Sequence, residues 1–197
     1  MEHRETLYQI SKAAGGIITV SAAMAMGISR ATLSKLCGQG MLQRIGRGQY
    51  ILPGELPDEL LALSLRTEHL IFSHETALFL HGISDRTPFV HSITYPSNQV
   101  PSQSLRDETK VYYIKPELFG MGKINMKTPF GNEVPCYDLE RTICDIVRSR
   151  SKMGTETFLA ALKQYASSPK KDLNRLNHYA GQLGLTNVIR QYLEVLL

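Results

Sequence analysis

The chain has 197 residues, 43% hydrophobic and 20% charged, which supports a core throughout and excludes wholesale disorder, collagen and a coiled-coil rod. No run approaches the roughly 18 apolar residues of a spanning helix, the first ten residues hold no apolar signal core, and the three cysteines Cys37, Cys136 and Cys144 form no Cys-x-x-Cys pair. A cytoplasmic protein with reduced thiols is expected, without membrane association or a disulfide framework. The formal charge of +4 is wholly N-terminal, because residues 1–54 hold six bases against two acids while residues 55–197 hold sixteen of each.

Residues 3–14 place Leu7, Ile10 and Ala14 at helical spacing, and Gly15-Gly16 ends that helix. A second short helix follows. A third begins at Ser29, a good N-cap residue, and runs to Cys37 before Gly38 and Gly40 stop it. Two apolar runs, 41–45 and 49–52, flank Gly46-Arg47-Gly48 and predict a hairpin, which Pro53-Gly54 closes. From residue 55 the pattern changes, with helices expected from Pro57 to Leu65 and from Ser73 to Leu80. Strands are expected at 89–95 and 110–115, and as a hairpin of 123–128 with 133–137; the polar stretch 96–107 between them reads as loop. The C-terminal part is helical: Asp138 to Arg150, Thr155 to Ala166, Pro169 to Gln182, and a last helix capped by Thr186 whose Val188, Ile189, Tyr192, Leu193 and Leu196 share a face.

Residues 21–38 fit the physics of a helix-turn-helix. Two steeply crossing helices need a small residue at the crossing, a glycine in the turn and apolar residues at fixed offsets. Ala23, Gly27, Met26, Ile28, Leu33 and Leu36 supply them, and the following hairpin stands where a wing would lie. Arg30, near the start of the third helix, then suits bidentate contact to guanine, with Ser29 and Ser34 as weaker hydrogen-bonding partners and Lys35 as a phosphate contact. Arg44 and Arg47 in the wing suit the minor groove or phosphates, whereas Tyr50 and Ile51 are expected to pack the wing.

The run Leu42-Gln43-Arg44-Ile45-Gly46-Arg47-Gly48-Gln49-Tyr50, followed by Ser73-His74-Glu75-Thr76-Ala77-Leu78, by Leu80-His81-Gly82-Ile83-Ser84-Asp85, and by residues 128–131 and 137–145, resembles AbiEi, the antitoxin of abortive-infection AbiE systems. The resemblance implies an autorepressor of a two-gene operon and a phage-defence role. It also implies neutralisation of a nucleotidyltransferase-like toxin without a stable complex.

Other constellations carry less. His74 and His81 share a helix face two turns apart with Glu75 nearby, too far to bind one metal, and no cysteine completes a zinc set, so neither metal nor cofactor is expected. Glu108-Thr109-Lys110, with Asp85 upstream, faintly matches the acid-x-Lys of metal-dependent nucleases. Residues 141–175 hold eight bases against three acids. One reading of residues 138–145 has Asp138 cap the helix, Glu140 placed favourably for the helix dipole, and Arg141 or Asp145 joined to the preceding sheet in a buried ion pair. The other makes Arg141, Arg148, Arg150 and Lys152 an anion-binding antitoxin surface, extended by Lys163, Lys170, Lys171 and Arg175.

The expected architecture is mixed α/β: a winged helix-turn-helix at 1–54 and an α/β domain at 55–197 with a small sheet and a helical C-terminus. The expected function is a non-enzymatic repressor. With no evident dimer seam it is monomeric in solution, and two copies occupy inverted repeats in double-stranded operator DNA. A nuclease-like enzyme guided by the winged helix and a ligand-sensing regulator are the alternatives.

Overall fold

The computed structural model describes residues 2–84 and 86–196, with all their side chains except those of Glu2, Leu193, Val195 and Leu196. It divides into two compact units, residues 1–66 with 128–132, and residues 67–127 with 133–197.

Unit 1 opens with α1 (Glu2–Ala13), β1 (Ile18–Thr19), α2 (Val20–Ala25) and α3 (Arg30–Gly38), then β2 (Gln43–Gly46) and β3 (Gln49–Ile51). The three short strands form one antiparallel sheet in the order β1-β3-β2, which makes this a winged helix. Leu7 and Ile10 of α1, Ile18, Ala23, Ile28, Leu33, Leu36, Leu42 and Tyr50 form its core. Each fully buried aliphatic side chain contributes about 1.5–3 kcal/mol. Ala23 is buried where α2 meets its neighbours, and Gly27 turns the chain at a φ of 81°, a left-handed conformation that residues with a Cβ adopt only under strain. Met26 differs from the other helix-turn-helix positions: it is 58% exposed and belongs to no core.

Helix α4 (Glu59–Ser64) clusters with unit 1 although it lies beyond the Pro53-Gly54 turn. It starts at Asp58, whose side chain caps Leu61 N, not at Pro57. The second Asp58 oxygen accepts hydrogen bonds from Thr128 Oγ1 at 2.6 Å and Asn132 Nδ2 at 2.8 Å, and Asn132 Nδ2 also reaches Gly15 O at 3.1 Å.

Unit 2 contains β4 (Ile71–Phe72), α5 (His74–Leu80), β5 (His91–Pro96), α6 (Gln103–Glu108), β6 (Thr109–Ile114), α7 (Pro116–Phe119), β7 (Lys123–Lys127) and β8 (Glu133–Tyr137), then α8 (Leu139–Arg148), α9 (Thr155–Ser167), α10 (Leu173–Gln182) and α11 (Thr186–Leu196). The mixed five-stranded sheet runs β6-β5-β4-β8-β7; β4 lies parallel to β8 and β5 to β6, the other pairs being antiparallel. All six residues of β5 are buried, as befits an inner strand covered on both faces. Edge strand β7 instead alternates, with Lys123, Asn125 and Lys127 exposed, a charged rim that discourages edge pairing.

The helical core joins Leu78 of α5, Ile143, Ile146 and Val147 of α8, Phe158 and Leu162 of α9, Leu176 of α10 and Ile189 of α11. Val188 and Tyr192 pack against it, while the side chains of Leu193 and Leu196, expected on the same face, lie outside the described residues. Two expectations fail locally. The polar stretch 96–107 carries α6, because Ser102 caps Leu105 N and Leu105 is buried. Helix α10 begins after Asp172, whose side chain accepts from Arg175 N, not at Pro169.

Candidate nucleic-acid interface

The Ser29 hydroxyl caps α3, accepting from Thr32 N at 3.1 Å and lying 2.9 Å from Thr32 Oγ1. The exposed hydroxyl is thereby held at the helix start with one hydrogen-bonding position still open. One turn apart, Arg30, Ser34 and Lys35 are all exposed, while Leu33 and Leu36 are buried behind them. The face expected to read DNA is therefore outward and polar, held by a buried apolar stripe.

In the wing, Arg44 pairs with Tyr50 and Gly46 with Gln49, with a register shift between Arg44 and Gly46. Arg44 Nε donates to Gly46 O at 3.1 Å, so that side chain braces its own hairpin. Arg47 is exposed at the tip. Val20 N donates to Gly48 O at 3.0 Å, tying the tip to the start of α2. Tyr50 and Ile51 are buried and pack the wing as expected.

The residues expected to form a second anion-binding surface are sorted differently by the structure. Arg141 is fully buried and cannot belong to a surface. Its Nε donates to Asp145 at 3.1 Å, its Nη1 to Leu118 O at 2.9 Å and Met121 O at 2.8 Å, and its guanidinium lies 4.2 Å from the Tyr137 ring centre. The side chain is a bolt between α8 and the segment before β7. Arg175 is exposed, but its charge is shared with Asp138 and Glu140 at 3.9 Å and Asp172 at 3.6 Å. Lys171 turns to Ser168 O at 3.5 Å. Lys163 and Lys170 line a cavity of about 500 Å³ with Ser167 and Ser168.

Arg148 is partly exposed and faces the buried Asp145 at 3.7 Å. Arg150 and Lys152 are exposed on a 3-10 turn after α8. Lys110 joins them, donating to Lys152 O at 3.0 Å and to Glu75 at 2.9 Å. Sequence reasoning missed Lys110 as a partner of this group, since only the fold brings it 42 residues across the chain.

Beneath this group sits His74, fully buried and, among the described residues, the one non-glycine at positive φ, 48°. Such a conformation costs about 1–3 kcal/mol. Its ring stacks on Tyr112 at 3.4 Å, Nδ1 lies 2.9 Å from Ser73 Oγ, and Nε2 lies 3.1 Å from Ser149 Oγ. His81 Nε2 is likewise taken, by Tyr137 O at 2.8 Å, so both imidazoles serve packing and hydrogen bonding. Asp85, the upstream acid of the nuclease-like pattern, lies outside the described residues, and Lys110 of that pattern is paired with Glu75.

Burial holds the His74 imidazole well below its ordinary range, helped by Arg148, Lys110 and Arg141. Above about pH 6.5 the group is neutral in both folded and unfolded chains and contributes no pH dependence. As pH falls through about 6.5, the unfolded chain takes up a proton that the folded one refuses, and stability is lost. Thermal melting between about pH 7.5 and 5 is expected to fall more steeply for the parent than for His74→Asn, which tolerates the positive φ. Burial raises Asp145 above its ordinary range, a contribution of opposite sign that both proteins share. Equal pH slopes would remove His74 from this account.

Residues 5–53 match the model of a family described as "Transcriptional regulator, AbiEi antitoxin". No curated protein matches the chain. Among solved structures, the RV2827C protein from Mycobacterium tuberculosis is similar in fold, with a TM-score of 0.64 over 91% of this chain and 71% of that one at 15% identity. The family match is confined to the winged helix, so that part of the chain is similar to the AbiEi antitoxin transcriptional regulators.

Proposed function

We propose that the protein represses its own operon by docking α3 in the major groove of inverted repeats, one copy to each half-site, and that unit 2 neutralises a nucleotidyltransferase-like toxin without catalysis or a stable complex. The observation that carries the first half is the exposed Arg30, Ser34 and Lys35 face beside the exposed Arg47 of the wing, in the part of the chain that holds all the net positive charge. Duplex DNA draws such a surface electrostatically, and the helix start supplies the base reading. For the second half the support is the cluster of Arg148, Arg150 and Lys152 at the end of α8.

The test is a gel shift with the DNA immediately upstream of the protein's own gene. Arg30→Ala should cost about 1–3 kcal/mol and relax preference at one base pair, while Arg47→Ala should weaken all sequences alike. The reverse pattern would assign base reading to the wing. No retardation of that DNA at low salt would sink the autorepressor reading.

A further inference from the structure

A cavity of about 370 Å³ in unit 2 opens beside the basic group. Its walls include Glu75 and Leu78 of α5, Ser92 of β5, Lys110 of β6 and the segment Arg86–Val90. Phe89 on its lip is wholly exposed. Glu75, the one carboxylate among the described residues lining this cavity, is already tied by Lys110 at 2.9 Å and by the Ser92 hydroxyl at 2.8 Å. Lys110 in turn holds Lys152 O at 3.0 Å. Through Lys110 the cavity wall thus meets the main chain of the turn that carries the exposed Arg150 and Lys152, and Arg86 on its wall is exposed as well.

From the juxtaposition of the exposed Phe89 ring, the Arg86 and Lys110 cations of the cavity and the Arg150–Lys152 turn, we propose that this face of unit 2 binds single-stranded nucleic acid, one base stacking on Phe89 while the adjoining phosphates run along Lys110, Lys152 and Arg150. An aromatic platform beside a cationic track is the chemistry that single strands select, because every base has a π-face and every phosphate a charge. A duplex keeps its bases stacked inside and offers nothing to the ring. The inference rests on the reading of the Arg150–Lys152 turn as an anion-binding surface and names what that surface holds.

The chain contains no tryptophan, so Phe89→Trp places a unique fluorophore at the site. In the full-length protein its emission should be quenched saturably by an oligouridylate of about 12 nucleotides. Duplex operator DNA and uridine monophosphate should leave it unchanged at the same concentrations. Adding Arg150→Glu and Lys152→Glu should weaken the quenching roughly tenfold or more. Absence of quenching by the strand, or equal quenching by duplex or mononucleotide, overturns the proposal. If quenching is absent while Arg150→Glu with Lys152→Glu abolishes rescue from the toxin, this inference alone falls. If the strand quenches but the same pair leaves rescue intact, the neutralisation reading falls and the binding site stands.

Discussion

Replacing Arg141 by alanine is expected to destabilise unit 2 by about 3–5 kcal/mol, the range for removing one partner of a buried ion pair, and to lower its melting temperature by about 10 °C. Three debts are left behind. Asp145, fully buried, loses the guanidinium bonded at 3.1 Å, and the partly exposed Arg148 faces it only at 3.7 Å. The carbonyls of Leu118 and Met121 lose their donor. Tyr137 loses the cation over its ring and gains a cavity beside it. Arg141→Lys should recover only a fraction, because an ammonium cannot span Asp145 and two carbonyls with a planar fork. Gly122→Ala should strike the same bolt from the other side, since the Gly122 backbone has a φ of 77° and an added Cβ would stand 2.7 Å from Arg141 Cβ. A measured loss below about 1 kcal/mol for Arg141→Ala would mean the pair contributes no more than a surface one.

The burial of Arg141 also shows where sequence reasoning stops. Arg141 and Asp145 stand four residues apart in a helix that reads as amphipathic, and the sequence left two readings open, a buried ion pair behind the Asp138 cap and an anion-binding face. The structure holds the buried pair, though joined within α8 and to the Leu118 and Met121 carbonyls rather than to the sheet. What decides it is that every residue from Glu140 to Val147 is buried, a consequence of β-sheet and helices closing over α8 together. The winged helix was legible for the opposite reason. Its turn glycine, Ser29 cap and apolar offsets are local, so residues 21–51 announce their geometry without reference to the rest. Strands β1 and β4, two residues each, could not be read because so short a segment becomes a strand only through its partners. For β1 these are Tyr50 and Gln49; for β4 they are Thr94, Ile93 and Cys136. Lys110 was missed by the same logic: its place beside Lys152 exists only in the fold.

Rescue from toxicity and repression should be separable by substitution in different units, and the structure changes which residues make the sharp test. Charge reversal at Arg148 would set a new carboxylate against the buried Asp145, now 3.7 Å from Arg148 Nη2, and would report on folding before function. Arg150 and Lys152 are free of that complication: both are exposed, and the Arg150 side chain donates to Val147 O at 3.0 Å. Arg150→Glu with Lys152→Glu should therefore change stability by less than about 1 kcal/mol, as exposed charges do. If the turn meets an anionic partner shared with the toxin, the same pair converts two attractions into two repulsions and should abolish growth rescue on co-expression. Operator retardation should stay near the parental level, because the face proposed to read bases lies in unit 1. Arg30→Ala should show the mirror image, with derepression and intact rescue. Unimpaired rescue by the folded double variant would take the turn out of neutralisation, and loss of rescue by Arg30→Ala at equal protein level would tie neutralisation to DNA binding instead.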